Sequence, residues 1–202
     1  MANAWMPEAE RIDGGDAHAS RGIGAPRAVW TVTGADPDAW SAREEAVRLI
    51  AEGRTVHLVW NPSSGRIAQI LPATRRGTPT VGATHVYGSH VDHGDEGRVC
   101  LVVAVVGHTG EPFTEGPMRG LAAVLDWLDS WGVRRDWPAG PPGVDLPIEV
   151  RAREWARGGH FGHDQVPGST DPGPGRLDTV PLLATGGHRR DRHPELAPSA
   201  TV

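Results

Sequence analysis

The chain has 202 residues and a formal net charge of −5, long enough for one domain with a real core and without the basic excess of a nucleic-acid surface. Its 27 glycines and 18 prolines, set against 38% hydrophobic residues, assign much of it to turns, loops and tails. The single cysteine, Cys100, excludes an intrachain disulfide, and no apolar run approaches the ~20 residues of a membrane helix.

Residues 1–24 are rich in Gly, Ala and charge without periodicity, and read as a flexible N-terminal arm. They carry no signal-peptide pattern, so a cytoplasmic location is expected, with release by lysis or a non-classical route. Ala28–Val32 reads as a short strand, and Gly34–Asp38 as a turn. Ser41 with Glu44 forms the signature of a capping box. Apolar Ala46, Val47, Leu49, Ile50 and Ala51 follow, and Gly53 supplies the stop of a helix. Thr55–Trp60 and Arg66–Leu71 flank a turn at 61–65 and read as a hairpin.

Residues 72–97 read as one long loop containing His85, His90 and His93, with Asp92 and Asp95 between them. Arg98–Val106 is the most apolar run and suits a central strand buried on both faces, with Cys100 packed in the core. Leu121, Val124, Leu125, Leu128 and Trp131 fall at helical spacing before Gly132. A Pro/Gly linker covers 136–148, and Arg153–Arg157 reads as a short strand or helical turn. Gly158–Asp178 reads as a Gly-rich polar loop, and 184–202 as a disordered tail. Trp30, Trp60, Trp127 and Trp131 are expected in the core, with Trp137 and Trp155 bordering a groove.

The stretch Gly159-His160-Phe161-Gly162-His163-Asp164-Gln165-Val166-Pro167-Gly168, followed by Asp171-Pro172-Gly173, resembles the late metal-binding loop of the zinc-dependent N-acetylmuramoyl-L-alanine amidase and peptidoglycan recognition protein family. Three further blocks follow in that family's order: Ala25–Gly34 as a first strand, His57–Pro72 as a hairpin and Arg98–Gly107 as a central strand, with the helix from 116 to 132 after it. The resemblance covers roughly residues 25–183. It implies a single α/β domain: a mixed central β-sheet flanked by helices. Its ligand pattern places two metal ligands at His163 and Asp171.

The resemblance also shows where this chain departs. The family's first-strand His is Thr31, in Val29-Trp30-Thr31-Val32-Thr33. The central-strand Glu is Ala104, and the Tyr used by another branch is Val56. Amide hydrolysis by zinc needs three protein ligands, an open position and a proton-handling group. The expectation is therefore a retained fold whose catalytic positions have degenerated. The metal is weak or lost, and zinc binds only if a third ligand is recruited from His85, His90 or His93. Thr31, His57 and His160 are the expected cleft-binding residues.

Three readings stay open at this point. The chain is a catalytically impaired amidase-like protein that binds peptidoglycan or a peptide in an inherited cleft. Alternatively, it is an active zinc amidase with a non-standard third ligand, or an assembly or toxin-delivery protein whose tails do the recognising. None requires a nucleic acid or a membrane, and the sequence leaves the oligomeric state open.

Overall fold

A computed structural model describes residues 2–19 and 22–185. The expected tail therefore lies outside the described residues from 186 onward. Ten strands and four helices are described: β1 (Glu10–Arg11), β2 (His18–Ala19), β3 (Arg27–Val32), α1 (Ala42–Ala51), β4 (Leu58–Trp60), β5 (Ile67–Gln69), β6 (Arg75–Arg76), β7 (Ala83–Val86), β8 (Ser89–Asp92), β9 (Cys100–Val105), α2 (Leu121–Ser130), α3 (Ile148–Ala156), β10 (Gly159–Gly162) and α4 (Thr179–Ala184). The central sheet runs β1-β5-β4-β9-β3-β10. It is mixed: β4, β9, β3 and β10 are mutually parallel, β5 returns antiparallel to β4, and β1 adds parallel to β5.

Strand alternation sorts the apolar residues onto two faces. On one, Trp30, Leu58, Trp60, Leu101, Val103 and Val105 pack with Leu121, Val124, Leu125 and Leu128 of α2. On the other, Val29, Val59, Val102 and Ala104 pack with Ala42, Ala46 and Leu49 of α1, and with Trp155 and Phe161. Every residue of β9 is buried, as expected of a strand covered on both sides. Burial pushes the Cys100 thiol up to about 12, so it serves as an apolar packing group. The capping box at Ser41 and Glu44 is present with both of its hydrogen bonds, and Glu44 and Glu45 in the first turn complement the helix dipole.

Four segments differ from the sequence reading, one of them 159–162, which is strand β10 and not loop. The arm at 1–24 contributes β1 and buries Met6 and Ile12. Gln69 holds it there: its Oε1 accepts from Met6 N–H at 2.6 Å, and its Nε2 donates to the carbonyls of Ala4 and Leu71 at 3.0 and 2.8 Å. The loop at 72–97 folds back as the β7–β8 hairpin, with β6 pairing β2. Residues 148–156 form a full helix, packed through Trp155. Trp30, Trp60, Trp127 and Trp131 are buried as expected, but so is Trp155, which donates to Glu96 Oε2 at 2.6 Å instead of lining a groove.

Gln69→Leu is expected to strand the Met6 N–H and the Leu71 carbonyl, at about 1–3 kcal/mol for each buried group left unpaired. Limited proteolysis checks this: new cleavage within residues 2–12 is the expected result. A protection pattern like the parent's would show that the buried Met6 and Ile12 and the remaining backbone bonds, Ile12 N–H to Gln69 and Ala73 N–H to Ala4, hold the segment without the Gln69 side chain.

Candidate functional site

Four strands end on one rim of the sheet, and open α/β sheets place their ligands outside the carboxyl ends of parallel strands. Thr31, near the end of β3, stands opposite Ala104 of β9. On the other side β10 pairs Gly162 with Trp30, so His163 emerges one step past the strand, beside Thr31. The loop after it returns Asp171 to the same place. Thr31 Oγ1 donates to Asp171 Oδ1 at 3.2 Å, and His163 Nδ1 lies 3.2 Å from Asp171 Oδ2. Residues 31, 163 and 171 thus meet, with Ala104 on the neighbouring strand.

Backbone geometry fixes the loop. Gln165 accepts from Gly162 N–H and Trp137 Nε1–H, and donates to the Gly140 carbonyl, which pins the turn that aims His163. Asp171 Oδ1 also accepts from Gly173 N–H at 2.8 Å, and Ser169 Oγ accepts from Asp171 N–H at 3.2 Å. Gly173 has φ +69°, and a Cβ there would lie 2.2 Å from Asp164 Oδ1. Gly168 has φ +70°, and its Cβ would lie 1.9 Å from the Ala83 carbonyl oxygen. Both turns therefore need glycine. Asp164 accepts from Gly143 N–H through Oδ2, and burial pushes its carboxyl upward.

The protons at His163 follow from its partners. Nε2 lies 2.8 Å from the Val81 carbonyl oxygen, which only accepts, so Nε2 carries a proton. In a neutral ring the Nδ1 lone pair then faces the Asp171 carboxylate. A proton on Nδ1, or a cation, removes that repulsion. Nδ1 is close to Asp171 but poorly aligned: it is buried without a hydrogen bond of good geometry. Desolvation acts to raise the Asp171 pKa, but His163, Gly173 N–H and Thr31 outweigh it and hold the carboxyl below its ordinary value.

The other expected site residues lie elsewhere. His57 shares the α1 face of the sheet but is wholly engaged: Nδ1 accepts from Val102 N–H at 2.9 Å, and Nε2 donates to the Arg75 carbonyl at 2.7 Å. It lines a cavity of about 20 Å³ with Val81, Cys100 and Val102, which is room for one water. His57 is a strut between the sheet and the 72–82 segment, not a cleft residue. His160 pairs in register with Ala28, which puts it on the opposite face, stacked between Trp30 and Trp137 and accepting from Trp30 Nε1–H at 2.9 Å. It cannot meet a ligand held at Thr31. Val56 is part of the apolar core. His93 is buried, with Nε2 on Thr84 Oγ1 at 2.9 Å and Nδ1 on Glu96 at 2.8 Å. His85 and His90 are exposed on the β7–β8 hairpin.

Whether these side chains suit zinc is a matter of counting donors. A hydrolytic zinc takes three protein ligands and keeps one position open. His163 and Asp171 are suitable types, and the His163 Nε2–H bond to a backbone carbonyl is the outer-sphere contact a metal-bound imidazole usually makes. Thr31, the third polar side chain there, is a neutral hydroxyl already spent on Asp171. No group of three or more His, Cys, Asp or Glu side chains able to hold a metal ion occurs among the described residues. The donor set does not fit a three-ligand zinc centre. Sequence reasoning missed Val81, Ser169 and Gly173, which orient the pair; only the Asp171-Pro172-Gly173 turn left a sequence signal.

No protein-family model matches the chain, and no curated protein does. Among solved structures it is similar to a selenomethionine derivative of AmpD, at 18% identity over 63% of this chain and 77% of that one, with a TM-score of 0.43. It is also similar to the Ph2119 endolysin from Thermus scotoductus MAT2119 bacteriophage Ph2119, at 16% identity over 88% of this chain and 99% of that one, with a TM-score of 0.47. Likeness at that level does not fix an activity, so function has to be argued from this chain's own residues.

Proposed function

We propose that this is an N-acetylmuramoyl-L-alanine amidase-like protein that is catalytically impaired and binds a peptidoglycan fragment or a peptide along the rim at Thr31, His163 and Asp171. One observation carries the reading. The Thr31 hydroxyl closes onto Asp171 where a third metal ligand belongs, while the strand and the late loop keep their pattern around it. Ala104 supplies no proton-handling group beside it. What remains is polar but not hydrolytic: an imidazole, a carboxylate and a hydroxyl at the strand ends, suited to hydrogen-bonding the amides and carboxylates of a peptide stem.

The reading with a recruited third ligand loses support from the same geometry. His93 has both ring nitrogens engaged, and His85 and His90 sit on an exposed hairpin. Among the described residues no helix is long and apolar enough to cross a membrane.

The test pairs two measurements on the full-length protein. A muramoyl-peptide is titrated by calorimetry, and the same mixture is followed by mass spectrometry for cleavage of the muramoyl–alanine amide. Binding without cleavage, with or without added zinc, is the expected result. Stoichiometric zinc with release of the peptide would make the protein a working amidase. No binding at all would remove peptidoglycan from the proposal.

A further inference from the structure

We propose a second, independent metal site on the β7–β8 hairpin, in which His85 and His90 together chelate a tetrahedral divalent ion of the zinc type. It does not rest on the reading of the rim, and neither histidine takes part in that site.

The hairpin turns on Tyr87 and Gly88, both with positive φ, at 49° and 80°. Val86 pairs with Ser89 next to this two-residue turn, so the following pair, His85 with His90, falls at the non-hydrogen-bonded position. That is where cross-strand side chains approach most closely, on one face of the ribbon. The rings lie 5.3 Å apart between centres, with their planes at 75°. With a metal–nitrogen bond of about 2.0 Å, each ring centre stands roughly 3.2 Å from the ion, and two rings at a tetrahedral angle have centres roughly 5.2 Å apart. The observed spacing therefore lets both rings reach one tetrahedral ion.

The base of the hairpin is already fixed. His93 N–H donates to the Gly82 carbonyl at 2.9 Å, Thr84 Oγ1 meets His93 Nε2, and Gly168 packs against the Ala83 carbonyl. The backbone under the two rings is thus set before an ion arrives, and only the soft ring torsions adjust. Asp92, on the same face, is taken by Arg76, Thr80 Oγ1 and Gly94 N–H. Water therefore completes the shell. A bound ion ties the exposed end of the hairpin together beside the loop that carries His163.

Zinc chloride alone is titrated calorimetrically into the full chain in a non-coordinating buffer, and cobalt(II) is used to read tetrahedral absorption. Since the second imidazole binds intramolecularly, His85→Ala and His90→Ala are each expected to weaken the site at least about tenfold. Both should also remove the tetrahedral cobalt bands. These are exposed positions, so the variants are expected to fold as the parent does. His163→Ala, and separately His188→Ala with His193→Ala, are expected to leave the affinity unchanged. The proposal is overturned if the parent takes up no zinc, if His85→Ala binds as the parent does, or if only the His163 or tail variants lose the ion.

Discussion

In a background lacking both His85 and His90 (His85→Ala, His90→Ala), Thr31→His is expected to bind one zinc ion per chain on the order of 100-fold more tightly than the same background with Thr31, since even outer-sphere partners of a metal site are worth 10–100-fold and this change adds a full ligand. The new imidazole would stand between Ala104, its small register partner, and His163, with Asp171 already 3.2 Å from both the residue 31 hydroxyl and His163 Nδ1. It removes the hydroxyl that occupies Asp171 and completes a set of two nitrogens and one carboxylate with an open fourth position. Adding Ala104→Glu places a carboxylate next to the metal-bound water and is expected to give measurable amide hydrolysis. Ala104 is buried in the α1-side core, so the double variant is expected to lose stability. The check is elemental analysis with zinc calorimetry, in that background, on the protein with Thr31, with Thr31→His, and with Thr31→His and Asp171→Ala together. The gain should appear in the second and vanish in the third. A folded Thr31→His protein that takes up zinc no better than the same background with Thr31 would mean that residue 31 does not stand at a ligand position.

The parts of this fold that could be read from sequence are those where one physical signal dominates. β9 is an unbroken apolar run, and α1 has a capping residue, an apolar stripe and a glycine stop. The segment at 1–24 gave no such signal, because β1 is a pair of exposed charged residues and its anchors are backbone groups reaching Gln69. The β7–β8 hairpin is mostly exposed, so its polar residues carry no period of two, and only Tyr87-Gly88 marked the turn. Thr31, His163 and Asp171 were legible as a group because their neighbours keep a recognisable pattern. The place of His160 is hidden for a single reason: the glycine-flanked 159–162 carries no strand signal. Once it is a strand, parity alone sends His160 to the α2 side and Phe161 to the α1 side. His57 was misjudged because a backbone amide of β9 and a carbonyl of the 72–82 segment, neither visible in sequence, consume both its nitrogens.

Those two histidines make the protein sensitive to acid well above the pH at which carboxylates titrate. Burial drives His57 down to about 4, and burial aided by Arg135 drives His160 down to about 3, against an ordinary value near 6.5. The unfolded chain therefore binds more protons than the folded one between those values. The stability from keeping both rings neutral is full above pH 6.5 and is lost as the pH falls toward 4. Each ring costs up to about 1.4 kcal/mol per pH unit in that window, so the pair removes on the order of 5 kcal/mol between pH 6.5 and 4. Asp92, Glu96 and Asp171, held below their ordinary values, push the same way at lower pH; Asp164, raised by burial, opposes them. Urea unfolding at pH 7.5, 6.0 and 5.0 is expected to show a steep loss. In His160→Asn the amide oxygen can still accept from the Trp30 indole, while the titrating group is gone. Its slope against pH is expected to flatten by about 1.4 kcal/mol per unit, and His57→Asn should do the same at the Val102 amide. A parent whose stability is level from pH 7.5 to 5.0, or an asparagine variant with the parent's slope, would show that these rings are not held neutral inside the fold.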